Sequence, residues 1–293
     1  MTALLVEAGA AAWLEDDPFA AHEWWEHAWL QTTAGPQKEA LRGLIQWAAA
    51  AHLDTLGRNA AAQNVRDRAL GRLERTQNRL TLAQWLLDIP DRQRDVLTFR
   101  PQTAQLPANA VILAAGQGTR AGGPKGLIDV EGQPLWLHRA LGLRRQGIAH
   151  VRAVVHPQGE LLERPGITAL HSDPLGTPLH SLQKALKTEE TLPIFLLPVD
   201  CPLPPRGVLV RLLAHAQVHP EVLAVRPLVE IEGQLRGGHP VLLTPAASRL
   251  LLGLDAGTTR LDRALHALGP AYAGVQVRER GVLGNFNRDG RTE

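Results

Sequence analysis

Cysteine is nearly absent from this 293-residue chain: Cys201 stands alone. A disulfide framework is excluded, and a reducing, cytoplasmic compartment is expected. Positive charge is missing from the start of the chain, where residues 1 to 37 carry six acidic side chains and no Lys or Arg. That is the opposite of a secretory signal. No stretch reaches the roughly 18 uninterrupted apolar residues of a membrane helix, so membrane spanning is not expected. Lysine is scarce: only Lys38, Lys125, Lys184 and Lys187 among 31 basic residues. Divided near residue 100, the chain has net charges of −2 and +4, and neither part has the basic excess of a nucleic-acid footprint. Aromatic residues make up 4% and are unevenly placed, with six of the seven tryptophans in the first 85 residues and only Trp136 beyond them. At roughly 150 residues per domain the length predicts two domains, and the tryptophans predict that their cores are built differently.

Apolar residues recur three and four apart before residue 90, as in Leu41, Leu44, Ile45 and Ala48, without β-branched runs. An all-helical module over 1–90 is predicted. Its acidic first segment is expected to pair with the arginines at 58, 66, 68, 72, 75 and 79 of a later helix. Pro90, Pro101 and Pro107 mark a linker over 91–108. From 109 to 293 apolar runs at 110–115, 151–155, 194–199, 222–225 and 241–243 alternate with helical patterns at 135–146, 179–187, 207–217 and 259–268. That alternation predicts an α/β domain with a mostly parallel, Rossmann-like sheet, preceded by the small all-α domain. In such sheets ligands bind beyond the carboxyl ends of the strands.

The first of these runs is followed by Gly116-Gln-Gly-Thr-Arg120-Ala-Gly-Gly-Pro-Lys125-Gly. Glycines such as Gly116 and Gly118 let backbone N–H groups approach an anion, and phosphate suits the concavity they form. The dinucleotide fingerprint fails because the acidic residue it needs about 20 positions on is lacking, and the P-loop fails because Pro124 precedes Lys125 and Gly126 replaces the metal-holding Ser or Thr. A glycine turn with two cations, Arg120 and Lys125, remains and fits a triphosphate. Asp200 directly follows an apolar run, which makes it a magnesium-ligand candidate, or a turn carboxylate ahead of Pro202. Cys201 reads as a small buried hydrophobe. Ser181 opens a helix whose N-terminus favours phosphate, so it is read as a nucleotide contact or as ordinary helix-start chemistry. His239, behind two glycines, is read as an acceptor contact or as structural.

The run Leu113-Ala-Ala-Gly-Gln-Gly-Thr-Arg-Ala-Gly-Gly-Pro-Lys-Gly-Leu127, followed by Gly132-Gln-Pro-Leu135, resembles the signature loop of the molybdenum-cofactor-type (MobA/MocA-like) nucleotidyltransferases. The resemblance extends over about 108 to 290. It implies a GT-A-like nucleotidyltransferase domain in which the backbone of Leu113, Ala114, Ala115 and Gly116 reads the base while Arg120 and Lys125 bind phosphates. Pro198-Val-Asp200-Cys-Pro-Leu203 resembles the family's metal-binding aspartate segment, Gly238-His-Pro-Val241 its acceptor-side segment, and Asn285-Phe-Asn287 the pair completing the metal site. The chain departs from the pattern at Ala121, where many members carry Met. It departs again at Asn285 and Asn287, where cytidylyl-transferring members often have aspartates, and asparagine adds no charge to a metal site. The implied activity is Mg²⁺-dependent transfer of a nucleoside monophosphate from a nucleoside triphosphate, CTP or GTP, to a phosphorylated small-molecule acceptor of molybdopterin type, with release of pyrophosphate. The Ala-Ala-Gly form leans towards CTP. A nucleotide-sensing regulator with a helical partner-binding module is the alternative, and a dehydrogenase a distant third.

In the helical module His22 and Glu26 share one helix face, as do Glu23 and His27. The spacing is not that of a zinc protease, because position 26 is Glu. With Gln46 and His52, the segment Phe19 to Trp29 resembles a helical family known as domain of unknown function 309. That resemblance implies no activity. The residues are read as a buried polar network or as a metal or ligand site.

Overall fold

A computed structural model of the chain describes residues 2–76, 105–118, 123–173, 176–186 and 190–284. The chain divides into two compact units, Met1–Gln102 and Thr103–Glu293. No helix among the described residues is long and apolar enough to cross a membrane.

The first unit holds four described helices: α1 (Thr2–Leu14), α2 (Pro18–Leu30), α3 (Pro36–Thr55) and α4 (Asn59–Thr76). Their starts follow local rules. The Asp17 carboxylate accepts from Ala20 N at 3.0 Å and Pro18 occupies the first turn of α2, so one orphan donor is satisfied and the missing proline N–H costs nothing. Tryptophan builds the core here. Trp25 is fully buried, donates Nε1–H to Val6 O at 3.2 Å, and lies so close to Gly9 that a Cβ there would meet Nε1 at 2.3 Å. Two of the arginines of α4 pair with α3 rather than with the acidic first segment. Arg72 reaches Glu39 at 2.6 Å and Arg66 reaches Asp54, both on α3, because α4 packs along α3 and places its polar edge beside that helix.

The second unit is the expected mostly parallel α/β sheet. Its described strands are β1 (Asn109–Ala114), a β2/β3 hairpin (Asp129–Val130, Gln133–Pro134), β4 (Val151–Val155), β5 (Ile167–His171), β6 (Ile194–Pro198), β7 (Ala224–Ile231), β8 (Gln234–Gly237), β9 (Val241–Leu243) and β10 (Tyr272–Gln276). The main sheet runs β10-β7-β9-β6-β1-β4-β5, with β8 on β7; β9 is antiparallel to both neighbours and β8 to β7. Helices α5 (Leu135–Arg145), α6 (Pro178–Ala185), α7 (Arg206–Val218), α8 (Pro245–Leu252) and α9 (Leu261–His266) fill the connections. Successive strand residues point to opposite faces, and Ala110, Val111 and Ile112 are all fully buried. The centre of the sheet is therefore covered on both sides, as the unbroken apolar run requires. The end of the expected linker is part of this unit: Leu106 N donates to Gly147 O at 2.8 Å and Ala108 is buried.

Candidate active site

Central strands β1 and β6 are parallel neighbours, with Leu113 opposite Pro198. Their carboxyl ends therefore lie side by side, and Val199 N continues the ladder by donating to Leu113 O at 3.0 Å. One end leads into the glycine loop and the other into Asp200. The loop closes on itself. Gly123 N donates to Gly118 O at 3.1 Å, and Gly118 has φ +57° with Gly123 O so near that a Cβ would lie 1.9 Å from it. Only glycine fits that approach. Gly126 then lies against the end of β1, where a Cβ would meet Ala114 O at 2.8 Å. The residue that spoils a P-loop reading is thus required by packing.

Between these two glycines the chain presents Lys125, whose Nζ donates to Asp200 Oδ2 at 3.0 Å. The two residues are 75 positions apart, and both side chains are partly buried, at 23% and 31% exposure. Solvent therefore screens this pair less than a surface one. Arg139 lies behind the pair, buried, with Nε donating to Val199 O at 3.4 Å. Burial pulls its guanidinium pKa down, while the Asp200 carboxylate favours the charged form. The Cys201 thiol is pushed up to about 12 by burial and then by the Asp200 charge, so it stays protonated at neutral pH and is no nucleophile.

A cavity of about 840 Å³ opens at the same strand ends; Pro198 of β6 lines it, whereas Lys125 and Asp200 are not among its lining residues. Leu113, Ala115, Gly116 and Gln117 form one wall, Thr177 and Ser181 of the α6 start another, and His239 and Arg260 lie further round. Three of the four backbone residues expected to read a base are thus in the lining; Ala114 is instead buried beneath, because alternate strand residues face the core. Gly118 shapes the loop without lining the cavity. Ser181 lines it while 5% exposed. His239 Nδ1 is buried and has no hydrogen-bond partner among the described residues. Burial lowers its pKa and the Asp200 carboxylate raises it.

Arg120, Asn285 and Asn287 lie outside the described residues. In the first unit the ligand atoms of His22, Glu23 and Glu26 lie within 4.8 Å of one another, with His22 Nδ1 and Glu23 Oε1 3.1 Å apart. His52 is 5.3 Å from the ring of Phe19, and Gln46 Oε1 is buried without a hydrogen-bond partner among the described residues.

Asp173, Thr177 and Arg260 are among the polar lining residues that the sequence did not single out. Asp173 follows β5, so recognising that strand would have exposed it to the strand-end rule. Thr177 accepts from His180 N and donates to Ala256 O at 3.0 Å, fastening the α6 start to the turn before α9. Arg260 is the one Lys or Arg among the described lining residues, and its guanidinium grips Asp262 through two bonds of 3.0 and 2.9 Å.

An oxygen-preferring divalent cation fits the donor set. Asp200 offers a hard carboxylate at a strand end, and the Lys125 ammonium already marks a cation position 3.0 Å from it. One carboxylate plus substrate phosphates is the usual magnesium arrangement.

Residues 110–272 match the family model described as MobA-like NTP transferase domain, and residues 6–65 match Domain of unknown function (DUF309). A molybdenum cofactor guanylyltransferase of Shewanella frigidimarina (strain NCIMB 400) is 31% identical over 158 residues, covering 53% of this chain and 78% of the relative. One from Xanthomonas euvesicatoria pv. vesicatoria (strain 85-10) is 33% identical over 150 residues, covering 50% and 76%. Among solved structures, 2-C-methyl-D-erythritol 4-phosphate cytidylyltransferase from Thermus thermophilus superposes with TM-score 0.46 at 22% identity, over 61% of this chain and 92% of that one.

Proposed function

Since the chain belongs to the MobA-like NTP transferase domain family and is a nucleotidyltransferase, we propose that it transfers GMP from GTP to a phosphate-bearing acceptor of molybdopterin type. The observation that carries this reading is the 3.0 Å contact of Lys125 with Asp200 at the strand ends where a cavity walled by the glycine loop opens. The relatives' names, molybdenum cofactor guanylyltransferase, support GTP over the CTP towards which the Ala-Ala-Gly form leans.

In this reading an oxygen of the acceptor phosphate attacks the α-phosphorus, the bond from that phosphorus to the bridging β-oxygen breaks, and pyrophosphate leaves. The acceptor oxygen is already anionic, so no general base is needed and catalysis reduces to positioning and charge neutralisation. Leu113, Ala115 and Gly116 receive the base through their backbone. Lys125, with Arg120, neutralises the departing phosphates. Ser181 and the N-terminus of α6 contact the nucleotide, and Arg260 and His239 receive the acceptor. Asp200, with Asn285 and Asn287, would hold a divalent cation, Mg²⁺ in our reading, which would supply Lewis-acid stabilisation of phosphate charge.

The test is pyrophosphate release with GTP and with CTP, each with and without Mg²⁺, in the presence of a molybdopterin acceptor. Release is expected with GTP and Mg²⁺. A preference for CTP would overturn the guanylyl assignment, and turnover undiminished by chelator would overturn the metal.

A further inference from the structure

We infer that Lys125 and the divalent cation compete for the Asp200 carboxylate, so that the triphosphate opens the cation site by drawing Lys125 away. The inference rests on the reading above, in which Asp200 is the metal ligand. Its physical basis is that one carboxylate oxygen is already committed: Lys125 Nζ donates to Oδ2 at 3.0 Å, and a cation arriving there meets both a used ligand and a neighbouring positive charge. In a partly buried pair that repulsion is only partly screened.

The surroundings leave the side chain as the moving part. The backbone around Lys125 is fixed, since Gly126 lies against Ala114 O and Ile128 N donates to Lys125 O at 3.2 Å. The four-carbon stem is free to re-aim the ammonium towards phosphates in the glycine loop. Asp200 would not be stranded, because buried Arg139 supplies a second positive charge from the core side. Lys125 then serves two stations in turn. It blocks the cation site in the empty enzyme and neutralises the triphosphate in the loaded one, so cation and nucleotide arrive together and free cation binds poorly.

The test uses the full chain and two probes that report binding without turnover. Nucleotide-free Mn²⁺ affinity is read from the spin-resonance signal of unbound Mn²⁺. Metal-free nucleotide affinity is read with a fluorescent GTP analogue in excess chelator. Replacing Lys125→Met or Lys125→Gln should tighten Mn²⁺ binding about tenfold or more and weaken nucleotide binding by a similar factor, because one charge repels the first ligand and attracts the second. Opposite signs are the mark of the competition, and a folding defect would weaken both. Mn²⁺ binding equally tight in the unaltered chain and both variants would overturn the inference while leaving Asp200 as ligand. Asp200→Asn in the Lys125→Met background should abolish the tight Mn²⁺ site. If that site persists, the metal lies elsewhere and the reading beneath the inference fails as well.

Discussion

Lys125 and Asp200 have meaning as a pair, and each depends on a neighbour that has no chemistry of its own. Gly118 and Gly126 hold the loop where a side chain would collide with a backbone oxygen, at 1.9 Å and 2.8 Å respectively. Gly118→Ala should therefore raise KM for the nucleotide and lower the melting temperature, since a non-glycine residue forced to positive φ against backbone costs about 1–3 kcal/mol. A variant with unaltered KM and melting temperature would show that the loop accommodates the methyl. Lys125→Ala should behave differently: turnover, followed as pyrophosphate release, should fall by about 10²-fold or more, as is typical when a charge stabiliser is lost, with little change in melting temperature. Unchanged release would remove Lys125 from the chemistry. Both residues could be singled out from sequence, Lys125 by the rarity of lysine and Asp200 by its place after an apolar run. Their contact could not, because 75 residues and a β1-β6 pairing intervene.

At the level of elements, the largely buried strands and the buried start of β7 were legible, and the strands exposed along much of their length were not. β1, β4, β6 and β9 are nearly or wholly buried along their length, so composition alone announces them. β5, β8 and β10 sit at the margins of the sheet and expose many of their side chains, all four in the case of β8. An edge strand needs little apolar surface and leaves no clear pattern. Missing β5 concealed Asp173.

The C-terminal turn of α7 carries a pH-sensitive element. The His215 pKa is lowered to about 4, by burial first and then by His219, with Glu221 acting in the opposite sense. His215 is thus neutral in the folded chain well below the pH at which it would protonate when unfolded. The unfolded state then binds more protons between about 4 and 6.5, so the stability linked to His215 is complete above about 6.5 and is lost as pH falls through that window. Between the upper and lower ends of the window the melting temperature of the unaltered chain should fall relative to that of His215→Leu. Parallel curves would contradict the assignment.

For the whole molecule, every described residue lining the cavity lies between Leu113 and Leu265, inside the second compact unit. A chain comprising only 103–293 should therefore release pyrophosphate from GTP at the same order of magnitude as the full chain. A collapse of activity on removing 1–102 would assign the helical unit a part in the reaction. Within that unit the ligand atoms of His22, Glu23 and Glu26 lie within 4.8 Å of one another; His22 and Glu26 are one helical turn apart, whereas spacing alone does not bring Glu23 to its sequence neighbour His22.

The two unlike parts of the chain, the mostly parallel sheet, the glycine loop and the identity of its lysine can be read from the residues alone. All of these are written locally, in composition, in periodicity or in residues contiguous along the chain. Tertiary structure alone decided that Lys125 reaches Asp200, that Gly126 is fixed by the end of β1, that Arg139 stands behind the carboxylate and that Arg260 joins the cavity wall. Those relations depend on strand order and on the directions of side chains brought together across the sheet, and no local pattern encodes them.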